Sequence, residues 1–229
     1  MAKRIVFLPT EKGSSLLYKE VLIDFDWVPG MAISQARKSV RNLHAASCEA
    51  LEIDYILEIS TRSEEVLGLS LSAFNLILIT NSQKVSVESA YQSSKVFSSG
   101  GPYVDIMNSS SLDAKKDIRL KSSGPLSGFS FENQLWPLKL SPNFYDYLYI
   151  SALLRHPEKS LLDSYQAFTD IAFSQISLEY KSMRSYNCQA RSVAIFCSLK
   201  RRYNENEILA VLKEMSVQAH PHSGQLDLF

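Results

Sequence analysis

Near residue 85 the hydrophobic pattern of this chain changes period, and that change limits the folds open to it. Upstream, apolar residues alternate or run in short blocks. Val21, Ile23, Phe25 and Trp27 fall on one face of a strand over residues 18–28, which Pro29-Gly30 ends. Residues 4–8 read as a short strand, LEIDYILEIS (51–60) as a strand ending near Ser60, and NLILIT (75–80) as another. One helix interrupts them, over 34–48, with Ser34 as cap and Arg37, Lys38 and Arg41 on its polar side. Downstream, the segment 86–97 has no Gly or Pro and reads as a helix closed by Gly100-Gly101-Pro102. Residues 111–121 form a charged helix, a strand surrounds Phe129 and Phe131, and 143–155 form an apolar helix stopped by Pro157. Residues 158–167 continue helically, FTDIAF (168–173) reads as a strand, and 187–202 form a helix. A last helix starts at Asn204, where Asn204 and Glu207 have capping-box spacing and Ile208, Val211, Leu212 and Met215 share a face. The pattern predicts an α+β protein.

Composition excludes several functions. Lys plus Arg is 24 and Asp plus Glu is 24, so the net charge is zero and a general polyanion coat is excluded. No apolar run approaches the roughly 18 residues of a membrane span, and MAKRIVFLPT lacks the apolar core of a signal peptide. Cys48, Cys188 and Cys197 are odd in number and widely spaced, which suits a reducing cytoplasm better than a disulfide framework. His44, His156, His220 and His222 have no metal-ligand spacing, so neither a metal nor another cofactor is expected.

The segment 86–97 is the most informative. On a helix, Glu88, Gln92 and Lys95 at i, i+4 and i+7 fall in one narrow stripe, aligning a carboxylate, an amide and an amine. A solvated face is one reading of the stripe. The other places it at the edge of a core, because Val87, Tyr91, Ala90 and Phe97 flank it and the charges lack the i, i+4 pairing of an exposed face.

LSAFN (71–75) followed by VESAYQSSKVF (87–97) resembles the signature of the NADAR family. GPYVDI, WPL, FYDYLYISALL, AFTDIAF and NCQARS are similar to the branch associated with DNA ADP-ribosyltransferase toxins, in which the NADAR protein is the antitoxin. The likeness spans roughly residues 55–200 and, more loosely, the N-terminal part. Ser89 stands where more typical NADAR helices have His, and their C-terminal Trp-Gly-x-Gly-type segment is missing, so the substrate of the riboflavin-pathway-like members is not carried over.

The resemblance implies cleavage of an N-glycosidic bond, here between ADP-ribose and guanine in DNA. Glu88 would act as general acid/base or stabilise the developing cation. Lys95, with its pKa lowered, would attack the anomeric carbon of an opened ribose. Gln92 would orient a ribose hydroxyl, and Asp170 is a second carboxylate or else a turn or strand-edge residue. Ser72, Phe74 and Asn75, with Tyr91, would line the ADP-ribose pocket, Phe74 offering an aromatic face unless it is plain core. Asn187, Gln189 and Arg191 begin a helix suited to phosphate, with Asn187 as N-cap and Arg191 on the pyrophosphate.

Lys181, Arg184, Arg191, Lys200, Arg201 and Arg202 fall in a run without acidic residues, and Lys115, Lys116, Arg119 and Lys121 surround Asp117. Both are candidate DNA contacts or ordinary basic helix faces. A modified base is reached from outside the stack, so single-stranded or flipped DNA is the expected substrate. The final QLDLF (Gln225, Leu226, Asp227, Leu228, Phe229) matches a sliding-clamp-binding peptide on a flexible tether, or else an apolar tail that docks on its own core.

The expected organisation is an N-terminal α/β part over 1–80 packed on a NADAR-like core over 55–203, a helix over 204–216 and a tail over 217–229. The expected function is a cytoplasmic, nucleoid-associated antitoxin hydrolase. Its partners are ADP-ribosylated DNA, ADP-ribose, the cognate toxin and the sliding clamp, and no membrane. An N-glycosidase on a free nucleotide or riboflavin-pathway intermediate, and a non-catalytic module binding ADP-ribose or the toxin, are the alternatives.

Overall fold

The computed structural model describes residues 1–81, 83–138, 143–173 and 187–217. The tail peptide 225–229, with His220, His222, Lys181 and Arg184, lies outside them. The chain runs β1 (Ala2–Pro9), β2 (Tyr18–Phe25), α1 (Ile33–Leu51), β3 (Ile56–Glu58), α2 (Val66–Ser70), β4 (Ile77–Ile79), β5 (Lys84–Ser86), α3 (Val87–Ser93) and β6 (Lys95–Phe97). It continues through a 3-10 helix (Val104–Asn108), α4 (Ser111–Lys116), α5 (Arg119–Ser122), β7 (Leu126–Phe131), β8 (Gln134–Trp136) and α6 (Phe144–Leu153). A second 3-10 helix (Lys159–Ser164), β9 (Ala167–Thr169), α7 (Gln189–Lys200) and α8 (Glu205–Val217) complete it. The fold is α+β, as the sequence predicts.

The main sheet has the order β2-β1-β9-β3, with β9 parallel to β3 and antiparallel to β1. β3 and β9 are buried on both faces, which suits their unbroken apolar runs, whereas the edge strand β2 leaves Glu20, Leu22 and Asp24 exposed on one side. In β1, Val6 joins Val40 and Leu43 of α1, with Ile23 and Phe25 of β2, on one side. Ile5 and Phe7 join Leu57, Phe168 and the helices α6 and α7 on the other. β9, from the downstream half of the chain, lies between β1 and β3. Gly68 lets α2 press on the end of β3, since a Cβ there would come 2.1 Å from the Glu58 carbonyl oxygen.

Several boundaries differ from the sequence reading, each for a local reason. The helix expected over 86–97 stops at Ser93, and Lys95 begins β6 opposite Phe129. The hydroxyls of Ser93 and Ser94 both bond back to the Ala90 carbonyl (2.9 and 2.7 Å), which competes with helix continuation, and the β-branched Val96 follows. Residues 111–121 split into α4 and α5 at Asp117, whose ψ of 126° is extended. The cap of α1 is Ala32 rather than Ser34, and the stretch after Pro157 is 3-10 rather than α-helix. β9 is only three residues long, so Asp170 follows the strand rather than lying in it. The capping box at α8 is present, with Asn204 Oδ1 accepting from Glu207 N (3.1 Å) and Asn204 N donating to Glu207 Oε2 (3.0 Å).

Candidate active site

A cavity of about 470 Å³ opens where the loops after β3 and β9 meet the 72–74 loop, α3 and α4. Its size suits a nucleotide-sized ligand. The chain builds it by tying α3 to its neighbours. Val87 N donates to Leu76 O (3.0 Å) and Glu88 N to Ala73 O (2.9 Å), setting the 72–74 loop beside the first turn of α3. Serine hydroxyls then lace α4 onto the same turn. Ser111 Oγ lies 2.9 Å from Phe74 O and 2.8 Å from Ser86 Oγ, and Ser89 Oγ donates to Ser109 O (3.1 Å).

Glu88, Gln92, Lys95, Asp170, Ser72, Phe74, Asn187 and Gln189 all line this cavity. Gln92 Nε2 donates to Glu88 Oε1 (2.9 Å), and Lys115 Nζ lies 3.9 Å from the same oxygen. Lys95 Nζ sits 4.9 Å from the centre of the Tyr91 ring, and Lys115 Nζ 5.2 Å from that of Phe74. Burial lowers the Lys95 amine to about 8; Glu88 opposes this and Lys115 reinforces it. Among the described residues, the buried Gln92 Oε1 and Ser72 Oγ have no hydrogen-bond partner. Buried polar atoms of this kind are costly unless something else satisfies them.

Asp170 Oδ1 accepts from Ala172 N (3.1 Å) and Oδ2 from Gln189 Nε2 (3.0 Å), while Gln189 Oε1 accepts from Ala73 N (2.5 Å). Gln189 thus ties the carboxylate to the 72–74 loop. Burial raises the Asp170 pKa; the hydrogen bonds and the fields of Arg62 and Lys115 oppose it. The sequence reading had not singled out Ser60, Thr61, Arg62, Tyr145 and Phe173, which complete the walls with Lys115 and Lys121.

Three expected pocket residues are placed elsewhere. Arg191 is 2% exposed and its guanidinium faces Asp146 (3.3 Å), so it is a core ion pair and not a phosphate ligand on this wall. Asn75 is exposed, bonds through Nδ2 to Leu69 O (2.9 Å) and lines a separate groove. The Tyr91 ring is buried core beneath Lys95, between Phe129 and Tyr145. Asn187 lies one residue too early to cap α7; Cys188 is the N-cap and offers no side-chain bond. The basic run also disperses among its described members. Lys200 pairs with Asp163 (2.7 Å), Arg201 with Glu11 (2.7 Å), and Arg202 bonds to Thr10 Oγ1 and Leu16 O (both 2.6 Å). Arg119 pairs with Asp105 and Asp117, leaving Lys115 and Lys121 of that cluster on the cavity.

The arrangement is that of a nucleotide-scale pocket with paired acids, an amine of lowered pKa and a basic rim. A family model for DarT1-associated NADAR antitoxins matches residues 2–221. The chain belongs to that family, whose members are N-glycosidase hydrolases, and membership supports an antitoxin role and hydrolase activity in general. A search of curated proteins finds no match. No helix among the described residues is long and apolar enough to cross a membrane.

Proposed function

We propose that the chain is a glycohydrolase that removes ADP-ribose from guanine bases in DNA, reversing the modification made by its DarT1 toxin partner. The observation that carries this reading is the convergence of Lys95, Glu88 and Asp170 on one cavity in which, among the described residues, Ser72 Oγ and Gln92 Oε1 have no hydrogen-bond partner. Arg62, Lys115 and Lys121 supply positive charge for the pyrophosphate. Ser72 and Gln92 meet ribose hydroxyls, and Phe74 offers its ring to a base.

A carboxyl group of the pair donates a proton as the ribose ring opens, leaving the sugar C1 doubly bonded to the guanine nitrogen. The neutral Lys95 amine adds to C1, the C1–guanine nitrogen bond breaks, and that nitrogen leaves with a proton relayed through the carboxylate. Water then adds to the Lys95 imine and releases free ADP-ribose and the amine. Net, one water is consumed and the base is restored. Direct acid/base attack by water from Glu88 or Asp170 is the competing route, and borohydride separates the two: reduction during turnover leaves a stable adduct on Lys95 only if the imine forms.

Release of ADP-ribose from DNA carrying ADP-ribosyl-guanine tests the function. Release only from a small nucleotide points to a metabolite glycosidase, and tight binding without release to a non-catalytic module. We further propose that Gln225, Leu226, Asp227, Leu228 and Phe229 tether the enzyme to the sliding clamp and hence to the nucleoid, raising its concentration at replicating DNA. Deletion of 225–229 is expected to abolish capture of the clamp while sparing turnover of short oligonucleotides; persistent capture refutes the tether.

A further inference from the structure

Behind Asp170, away from the opening of the cavity, lies a second carboxyl group. Glu58 ends β3, pairs in register with Thr169 of β9 and is 2% exposed. Its Oε1 accepts from Ser60 Oγ (2.6 Å) and Ile171 N (2.9 Å), and its Oε2 lies 2.7 Å from Thr169 Oγ1. The residues on either side of Asp170 are therefore held by one carboxyl group, which fixes the turn that aims Asp170 at the cavity.

A count of protons constrains its state. Thr169 Oγ1 also lies 2.8 Å from His44 Nε2. A hydroxyl has one proton to give. If Glu58 is ionised, Thr169 donates to it and His44 Nε2 must carry a hydrogen. If Glu58 is protonated, it donates to Thr169, which donates to a bare His44 Nε2. The surrounding charges favour the second arrangement. Among the described residues, the titratable and charged groups around the pair are His44 and Arg37 on α1, Arg4 on β1, Arg62 after β3, Lys115 on α4, Tyr145 and Tyr149 on α6, Cys188 before α7 and Asp170 itself. Two carboxyl groups this close do not both stay charged at little cost. Burial raises both groups; on Asp170 it is opposed by the Gln189 and Ala172 hydrogen bonds and by the fields of Arg62 and Lys115, whereas on Glu58 the Asp170 charge adds to burial and, against hydrogen bonds alone, the two push it up to about 7. Burial also drives His44 down to about 4, which leaves its ring neutral.

We propose that Glu58 is a positioning residue that stores a proton, directed through Thr169 to His44, and so keeps Asp170 the ionised carboxylate of the cavity. Its place in catalysis rests on the glycosidase reading above, but its protonation is measurable without substrate.

Glu58→Gln is the test. The amide reproduces the protonated acid, donating to Thr169 and accepting from Ser60 and Ile171, and it cannot ionise. The folded protein holds the Glu58 proton up to about 7 whereas the unfolded chain releases it near 4.5, so wild-type stability falls relative to Glu58→Gln as pH rises through that window. Melting temperatures across the window should diverge accordingly; a constant difference overturns the proposal. Carbon-13 carboxyl NMR of the wild type should show Glu58 titrating near neutrality and Asp170 already charged there; the reverse order also overturns it, even if Glu58→Gln fails to fold. On ADP-ribosylated DNA the wild type should lose turnover as Glu58 ionises, and Glu58→Gln should lack that falling limb. A wild type without turnover defeats the glycosidase reading alone, since the melting and NMR results still decide the state of Glu58.

Discussion

Asp146 and Asp170 are both buried carboxyl groups, and their surroundings divide fold from chemistry. Asp146, in the first turn of α6, accepts from Asn143 N (2.9 Å) and Ser192 Oγ (2.7 Å) and faces the Arg191 guanidinium. It is a cap and a counter-ion at once, and it joins α6 to α7. Asp170 accepts from a backbone amide and a glutamine amide, shares its burial with Glu58, and looks onto the cavity. A buried charge with its own cation in place serves packing. One held by neutral donors next to an opening is available for a reaction.

Four measurements break or sharpen that contrast. Lys95→Ala should cost on the order of 10³-fold in turnover with the melting temperature nearly retained; unchanged turnover removes the amine route. Asp146→Ala should cost about 3–5 kcal/mol of stability, because it strands a buried guanidinium, and urea titration reads this; a loss of activity without a loss of stability would erase the distinction between the two aspartates. Asp170→Asn should lower turnover by about 10²-fold, the usual scale for a proton-transfer group, while its stability equals or exceeds wild type, since a buried charge is removed. The smallest effect concerns pH. In the Glu58→Gln background, which lacks the falling limb, Lys95 lowered to about 8 should make adduct trapping by borohydride rise as pH passes that value. Lys115→Gln removes a cation that helps depress the amine and should move the rise to higher pH; an unmoved profile assigns the depression to burial alone.

Much of the site was legible because its chemistry clusters in sequence. Glu88, Gln92 and Lys95 announce themselves by spacing, although the helix that suggested the stripe ends before the lysine. They still converge, because β6 turns back along β7 and lays the lysine stem across Tyr91. The main-sheet strands were visible as apolar blocks, and α8 through its cap. Arg62 and the pairing of Glu58 with Thr169 were not, since they depend on a parallel ladder between β3 and β9, distant stretches of chain. A single sequence carries no mark of such pairing. One sign was present at Glu58: a carboxylate inside an otherwise apolar strand, between Leu57 and Ile59, has to be buried or break the strand. Arg191 misled because a basic residue in the first turn of a helix looks like an anion ligand until its acidic partner across the core is known.

The break between α3 and β6 gives the amine and the acid separate moorings. Lys95 hangs from a ladder rung opposite Phe129, whereas Glu88 rides on the coil that the serines secure to α4. Twisting that helix re-aims the carboxyl group and leaves the amine where it was. A designer reshaping the cavity can therefore retune one group at a time.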